Sequence, residues 1–99
     1  MYVVMTKVKL RTGTIDQCVA LFRESNPDMV SDEKDWLGAR MIFDSEINIV
    51  TVLATWRNVE SYKNLSASHR FQKTMQEFGQ FFASPPEITT NDVLVDMVP

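Results

Sequence analysis

Ninety-nine residues with a formal charge of −3 and a pI near 5.0 fit one domain spanning 1–99. They speak against a nucleic-acid surface, which needs an excess of Lys and Arg to neutralise phosphates. Hydrophobic residues at 44% and charged residues at 23% are ordinary for a globular chain. No apolar run approaches the ~20 residues that span a bilayer, and the lone Cys18 can close no internal disulfide.

The first ten residues, MYVVMTKVKL, alternate: Tyr2, Val4, Thr6, Val8 and Leu10 share one face, and Val3, Met5, Lys7 and Lys9 the other. This is a strand, and it lacks the basic head and long apolar run of a signal peptide, so a cytoplasmic setting is expected. Thr12-Gly13 breaks the strand. Thr14 and Gln17 are spaced as a capping box opening a helix whose apolar stripe is Ile15, Cys18, Val19 and Phe22. Asn26-Pro27 should interrupt that helix, because a residue before proline disfavours helical geometry. Asp28, Asp32, Glu33 and Asp35 follow without the spacing of a calcium loop, and a solvated loop with no metal is expected.

Two strands come next, Leu37 to Asp44 and Ile47 to Trp56, joined at Ser45-Glu46. The second is apolar on both parities, with Ile49 and Leu53 on one and Val50, Val52 and Ala54 on the other, as if covered on both sides. Asn58 can cap a short helix carrying Val59, Tyr62 and Leu65. A longer helix then begins near Ser66 or Ser68 with Phe71, Met75, Phe78 and Phe82 on one stripe, and Ser84-Pro85-Pro86 ends it. Asp92 to Val98 reads as the last strand. Trp36, beside the acidic loop, carries no reading; Gly79 costs its helix about 1 kcal/mol against alanine and suggests close approach of another backbone.

The order β-α-β-β-α-β predicts a ferredoxin-like α+β fold: a four-stranded antiparallel sheet with its helices on one face. The other face would then be a large apolar patch, best covered by a second copy in a two-fold dimer. The stretch Ala54-Thr55-Trp56-Arg57-Asn58-Val59-Glu60-Ser61-Tyr62, with Ser66-Ala67-Ser68-His69-Arg70-Phe71 and then Pro85-Pro86, resembles the antibiotic biosynthesis monooxygenase (ABM) family of dimeric α/β barrels over nearly the whole chain.

That resemblance implies a ligand pocket inside each subunit, between helices and sheet, lined by Thr6, Val8, Phe22, Phe71, Met75 and Phe78 and holding a small aromatic or apolar ligand. It further implies Trp56 as a hydrogen-bond donor to substrate and Tyr62 as its partner. His69 is the only histidine, and imidazole is the side chain that titrates near neutral pH, which makes it the candidate base. Arg40 could hold an anionic substrate or sit at a dimer edge. The expected activity is cofactor-free oxygenation of a phenol or quinol, with non-catalytic ligand binding or sensing on the same fold as the alternative. Haem cleavage is not expected, because Thr6, Leu65 and Met75 stand where haem-degrading relatives carry asparagine, tryptophan and the iron-binding histidine.

Overall fold

A computed structural model describes all 99 residues. In chain order the elements are β1 (Tyr2–Lys9), α1 (Ile15–Val30), β2 (Trp36–Asp44), β3 (Ile49–Trp56), α2 (Val59–Ser66), α3 (His69–Gly79) and β4 (Glu87–Asp92). The four strands form one antiparallel sheet in the order β2-β3-β1-β4, the ferredoxin-like α+β architecture expected from the pattern. No helix is long and apolar enough to cross a membrane.

Register decides which side chains meet the helices. Val4 pairs with Ala54, Thr6 with Val52 and Val8 with Val50; Val4, Val8, Val50 and Trp56 are buried against Cys18, Met29, Leu65 and Phe78 of the helices. The opposite parity forms the open face. There Met5 lies beside Leu53, and Leu53 beside Arg40. Ile42 on the same face is 51% exposed.

Both later helices are capped as their sequences suggest. The Asn58 side chain accepts from the Glu60 amide at 2.9 Å, and Ser68 Oγ accepts from the Phe71 amide at 3.2 Å; each satisfies a donor that the first turn leaves free.

Five expectations need correction. Thr14 precedes α1 without making a capping box, because its hydroxyl donates to Arg11 O at 2.8 Å instead. The helix also runs through Pro27 to Val30. The proline removes one helical hydrogen bond, but Met29 and Val30 are buried and Arg70 Nη2 donates to Met29 O at 3.0 Å, so tertiary contacts hold the last turn. Next, α3 stops at Gly79, five residues before Ser84, because the following backbone joins the end of β1: Arg11 N donates to Phe81 O and Ala83 N to Lys9 O, each at 2.8 Å. A Cβ at Gly79 would meet nothing within 4 Å, so no backbone approaches it.

The fifth correction concerns the C-terminus. β4 is the polar segment Glu87–Asp92, exposed throughout, whereas the apolar segment after it is not a strand. Leu94, Val95, Met97 and Val98 are 72–88% exposed. The hydrophobic alternation there is real, but beyond the Val93 amide, which donates to Met1 O at 3.0 Å, this chain offers it no backbone partner.

Candidate functional site

The buried core falls into two clusters. One gathers Val8, Leu10, Cys18, Val50, Phe78 and Phe81; the other gathers Val4, Met29, Trp56 and Leu65, with Trp36, Tyr62 and Phe71 packed on it. Residues of both line a cavity of about 120 Å³ between sheet and helices, close in size to the ~150 Å³ apolar cavities that take up benzene. Its wall carries no Asp, Glu, Lys, Arg or His; the only polar residues besides tryptophan, tyrosine and cysteine are Thr6, Ser25 and Asn26. Ser25 Oγ is already engaged with Leu21 O at 2.7 Å.

One end of the cavity is aromatic. Trp56 and Tyr62 meet edge to face with ring centroids 5.9 Å apart, and Tyr62 meets Phe71 at 6.4 Å and 87°. Such T-shaped pairs place the positive edge of one ring on the negative face of the next. A polar network outside the cavity fixes this corner: Ser61 Oγ donates to Asp35 Oδ2, Arg57 N donates to Asp35 O at 2.7 Å, and the Arg57 guanidinium stands 3.6 Å from Asp35 Oδ1. Asp35 thus ties the start of β2 to the end of β3 and the first turn of α2, beside Tyr62. The acidic loop has this positioning task; no group of three or more His, Cys, Asp or Glu side chains converges to hold a metal.

Trp36 joins the aromatic end through a β-bulge. It pairs with Trp56, yet Gly38 pairs with Thr55, so Leu37 is the extra residue on β2. Strict alternation from Met41 through Ala39 would put Leu37 over the cavity and Trp36 outside. The inserted residue reverses the parity, so that Met41 and Trp36 both line it. Gly38 adopts φ +137°, a conformation closed to side chains with a Cβ at low cost. A glycine inside a strand pattern is the signal that exposes such a bulge in the sequence.

Two weak acids line the cavity, and burial pushes both away from ionisation: the Cys18 thiol above its ordinary 9.0 and the Tyr62 phenol above its ordinary 10.0. Trp56 is 2% exposed, and its Nε1 is the one buried side-chain polar atom without a hydrogen-bond partner.

The structure brings together most of the residues expected at the site. Thr6, Val8, Phe22, Trp56, Tyr62, Phe71, Met75 and Phe78 all line the cavity. His69 and Arg40 do not. His69 is the first residue of α3, exposed to solvent, because Ser68 caps the helix and Phe71 is the first α3 side chain to line the cavity. Arg40 lies on the open sheet face beside Leu53, one position out of phase with Met41. Asn26 and Met29 were hidden by the expected break at Pro27. Thr6, Leu65 and Met75 line the same cavity, so its donor set includes no imidazole for a haem iron.

No family model and no curated protein matches the sequence. Solved structures do match its fold. An antibiotic biosynthesis monooxygenase superposes with TM-score 0.73 at 16% identity, each chain covered over 100% of its length. SnoaB, a cofactor-independent oxygenase from Streptomyces nogalater solved as a mutant, gives TM-score 0.81 at 8% identity, covering 97% of this chain and 95% of SnoaB. Rv0793 from Mycobacterium tuberculosis gives TM-score 0.79 at 11% identity over 98% of both chains. At these identities the likeness is one of fold.

Proposed function

Taking the fold shared with antibiotic biosynthesis monooxygenases as premise, we propose that this chain works as a homodimer that holds a small, largely apolar aromatic molecule in the cavity of each subunit. One observation carries the reading: Trp56 Nε1 is buried and unpaired in a residue of the cavity wall. An unsatisfied buried donor costs about 1–3 kcal/mol. A ligand oxygen or nitrogen that gains access to this hydrogen as the wall adjusts around it offsets the cost, which corresponds to roughly 5–150-fold in affinity. The apolar wall supplies the non-directional part of binding.

The dimer partner is a second copy of the chain. The open sheet face carries Val3, Met5, Ile49 and Leu53 at its centre, and the C-terminal segment adds Leu94, Val95, Met97 and Val98, all more than two-thirds exposed. Together these side chains, interleaved on the sheet face with Lys7, Lys9, Thr51 and Thr55, form the surface that a second copy would cover.

A second reading, cofactor-free oxygenation of a phenol or quinol, is favoured by the Trp56–Tyr62 pair at the cavity's aromatic end and by the description of SnoaB as a cofactor-independent oxygenase. In such a reaction the hydroxyl O–H and a para ring C–H of a phenol react with dioxygen to give a quinone and water, with the substrate supplying both hydrogens and all four electrons. His69 lies outside the cavity, so this reading needs a substrate acidic enough to ionise without it. Calorimetric titration with phenols and oxygen uptake with quinols, both without added cofactor, separate the readings. Saturable binding weakened in Trp56→Phe without oxygen uptake supports the binding protein. Turnover that falls in Trp56→Phe and Tyr62→Phe but survives His69→Ala supports the oxygenase. A cavity that takes up none of these compounds removes both.

A further inference from the structure

The cavity wall is built from six elements and the segment after α3, and none of them brings a charge to it. β1 contributes Val4, Thr6 and Val8; β2 contributes Trp36 and Met41; β3 contributes Val50 to Trp56 on one parity. From α1 the only titratable group is Cys18, and from α2 only Tyr62; α3 adds Phe71, Met75 and Phe78, and Phe82 follows it. The cations that adjoin Phe71 and Trp56 in sequence are engaged elsewhere. Arg70 donates to Met29 O, and Arg57 binds Lys34 O and the Asp35 carboxylate. Asp35 itself would repel an anion. An ionised ligand would therefore surrender its hydration with no countercharge to replace it, whereas a neutral ring surrenders little. The resident phenol and thiol are subject to the same environment, and both are held in their neutral forms.

Resting on the binding reading above, we propose that the cavity selects the uncharged form of a single aromatic ring bearing one hydrogen-bond acceptor, with Trp36, Trp56, Tyr62 and Phe71 as the ring's subsite. Trp36 is the specificity element that the bulge at Leu37-Gly38 adds. Three rings alone, on β3, α2 and α3, would leave the β2 side of this end aliphatic. The acceptor is needed for Trp56 Nε1, and its being uncharged is needed for everything else. A phenol satisfies both demands; its phenolate satisfies only the first. A weakly acidic ligand is consequently bound at the expense of its own ionisation, and its pKa rises on binding.

The test uses the unmodified protein and three ligands that share a 4-nitrophenyl ring: 4-nitroanisole, which is neutral at any pH; 4-nitrophenol, which ionises near neutrality; and 4-nitrobenzenesulfonate, a permanent anion. Calorimetric Kd values are measured from about pH 6 to 8.5, below the range in which Cys18 and Tyr62 ionise. The anisole should bind with one affinity throughout. The nitrophenol should match it at the acid end and weaken by about tenfold per pH unit above its own pKa. The sulfonate should bind about 100-fold more weakly or not at all. Trp36→Leu should weaken the anisole and leave the pH slope of the nitrophenol unchanged. A nitrophenol affinity independent of pH, or a sulfonate bound as tightly as the anisole, overturns the charge selection while leaving the binding protein intact. Failure of all three to bind overturns the binding reading and this proposal with it.

Discussion

Gly38→Ala probes the bulge that builds the aromatic end. At φ +137° a Cβ is disfavoured by the residue's own backbone, and because the added methyl would meet nothing within 4 Å, no packing clash contributes. The cost is therefore backbone strain alone, about 1–3 kcal/mol. For a domain of this length about 2 kcal/mol lowers Tm by roughly 8–16 °C. Strain can be relieved by letting the bulge slip, and slippage exchanges Leu37 for Trp36 over the cavity. Thermal melting should be followed at fixed protein concentration, because the proposed dimerisation would make Tm concentration-dependent, with tryptophan emission recorded alongside. The variant should melt lower, emit further to the red as Trp36 gains solvent, and bind aromatic ligands more weakly. A melting temperature and emission unchanged from the parent would refute the claim that Gly38 holds Trp36 in place.

Ending the chain after Asp92 removes the exposed Leu94, Val95, Met97 and Val98. Light scattering should show the full chain at about twice its 11.4 kDa mass and the shortened one moved toward a single chain; equal masses would take the segment out of the interface. Leu53→Asp, on the open face, should also break the dimer. The pH dependence of stability follows from the two buried acids. Their folded pKa values lie above the ordinary 9.0 and 10.0 of thiol and phenol, so below about pH 7.5 both states keep the protons. As pH rises past the unfolded values, the unfolded chain releases protons that the folded chain retains, and stability falls through the folded values. Urea midpoints should be level up to that point and then decline, and the decline should be shallower in Cys18→Ala with Tyr62→Phe. A stability that increases across this range would contradict the burial of both groups.

Much of the site was legible because it rests on periodicity. Thr6 and Val8 share a strand parity, and Phe71, Met75 and Phe78 share a helix stripe; both patterns follow from backbone geometry alone. Trp56 and Tyr62 were legible through family likeness. Trp36 was not, because one inserted residue at Leu37 reverses parity, and only Gly38 marks it. His69 was misplaced for a different reason: chemical aptitude nominated it, while the helix phase set by Ser68 and Phe71 turns it to solvent. Arg40 failed in the same way, one residue out of phase with Met41. Pro27 and the C-terminal segment share a third cause. Local signals said break and strand, but tertiary contacts to Met29 overrode the first, and the second finds no pairing partner inside one subunit.

The central claim is that a small aromatic ligand enters this cavity and accepts the Trp56 indole hydrogen. The chain has two tryptophans, so a ¹H–¹⁵N spectrum holds two indole signals, and Trp36→Phe assigns them. Titrating 4-nitrophenol at pH 6 should move the Trp56 signal downfield with a saturating curve, as a hydrogen bond forms where the free protein has none, and should perturb Trp36 by ring current. Binding seen by calorimetry with the Trp56 signal unmoved would place the ligand elsewhere and contradict the account.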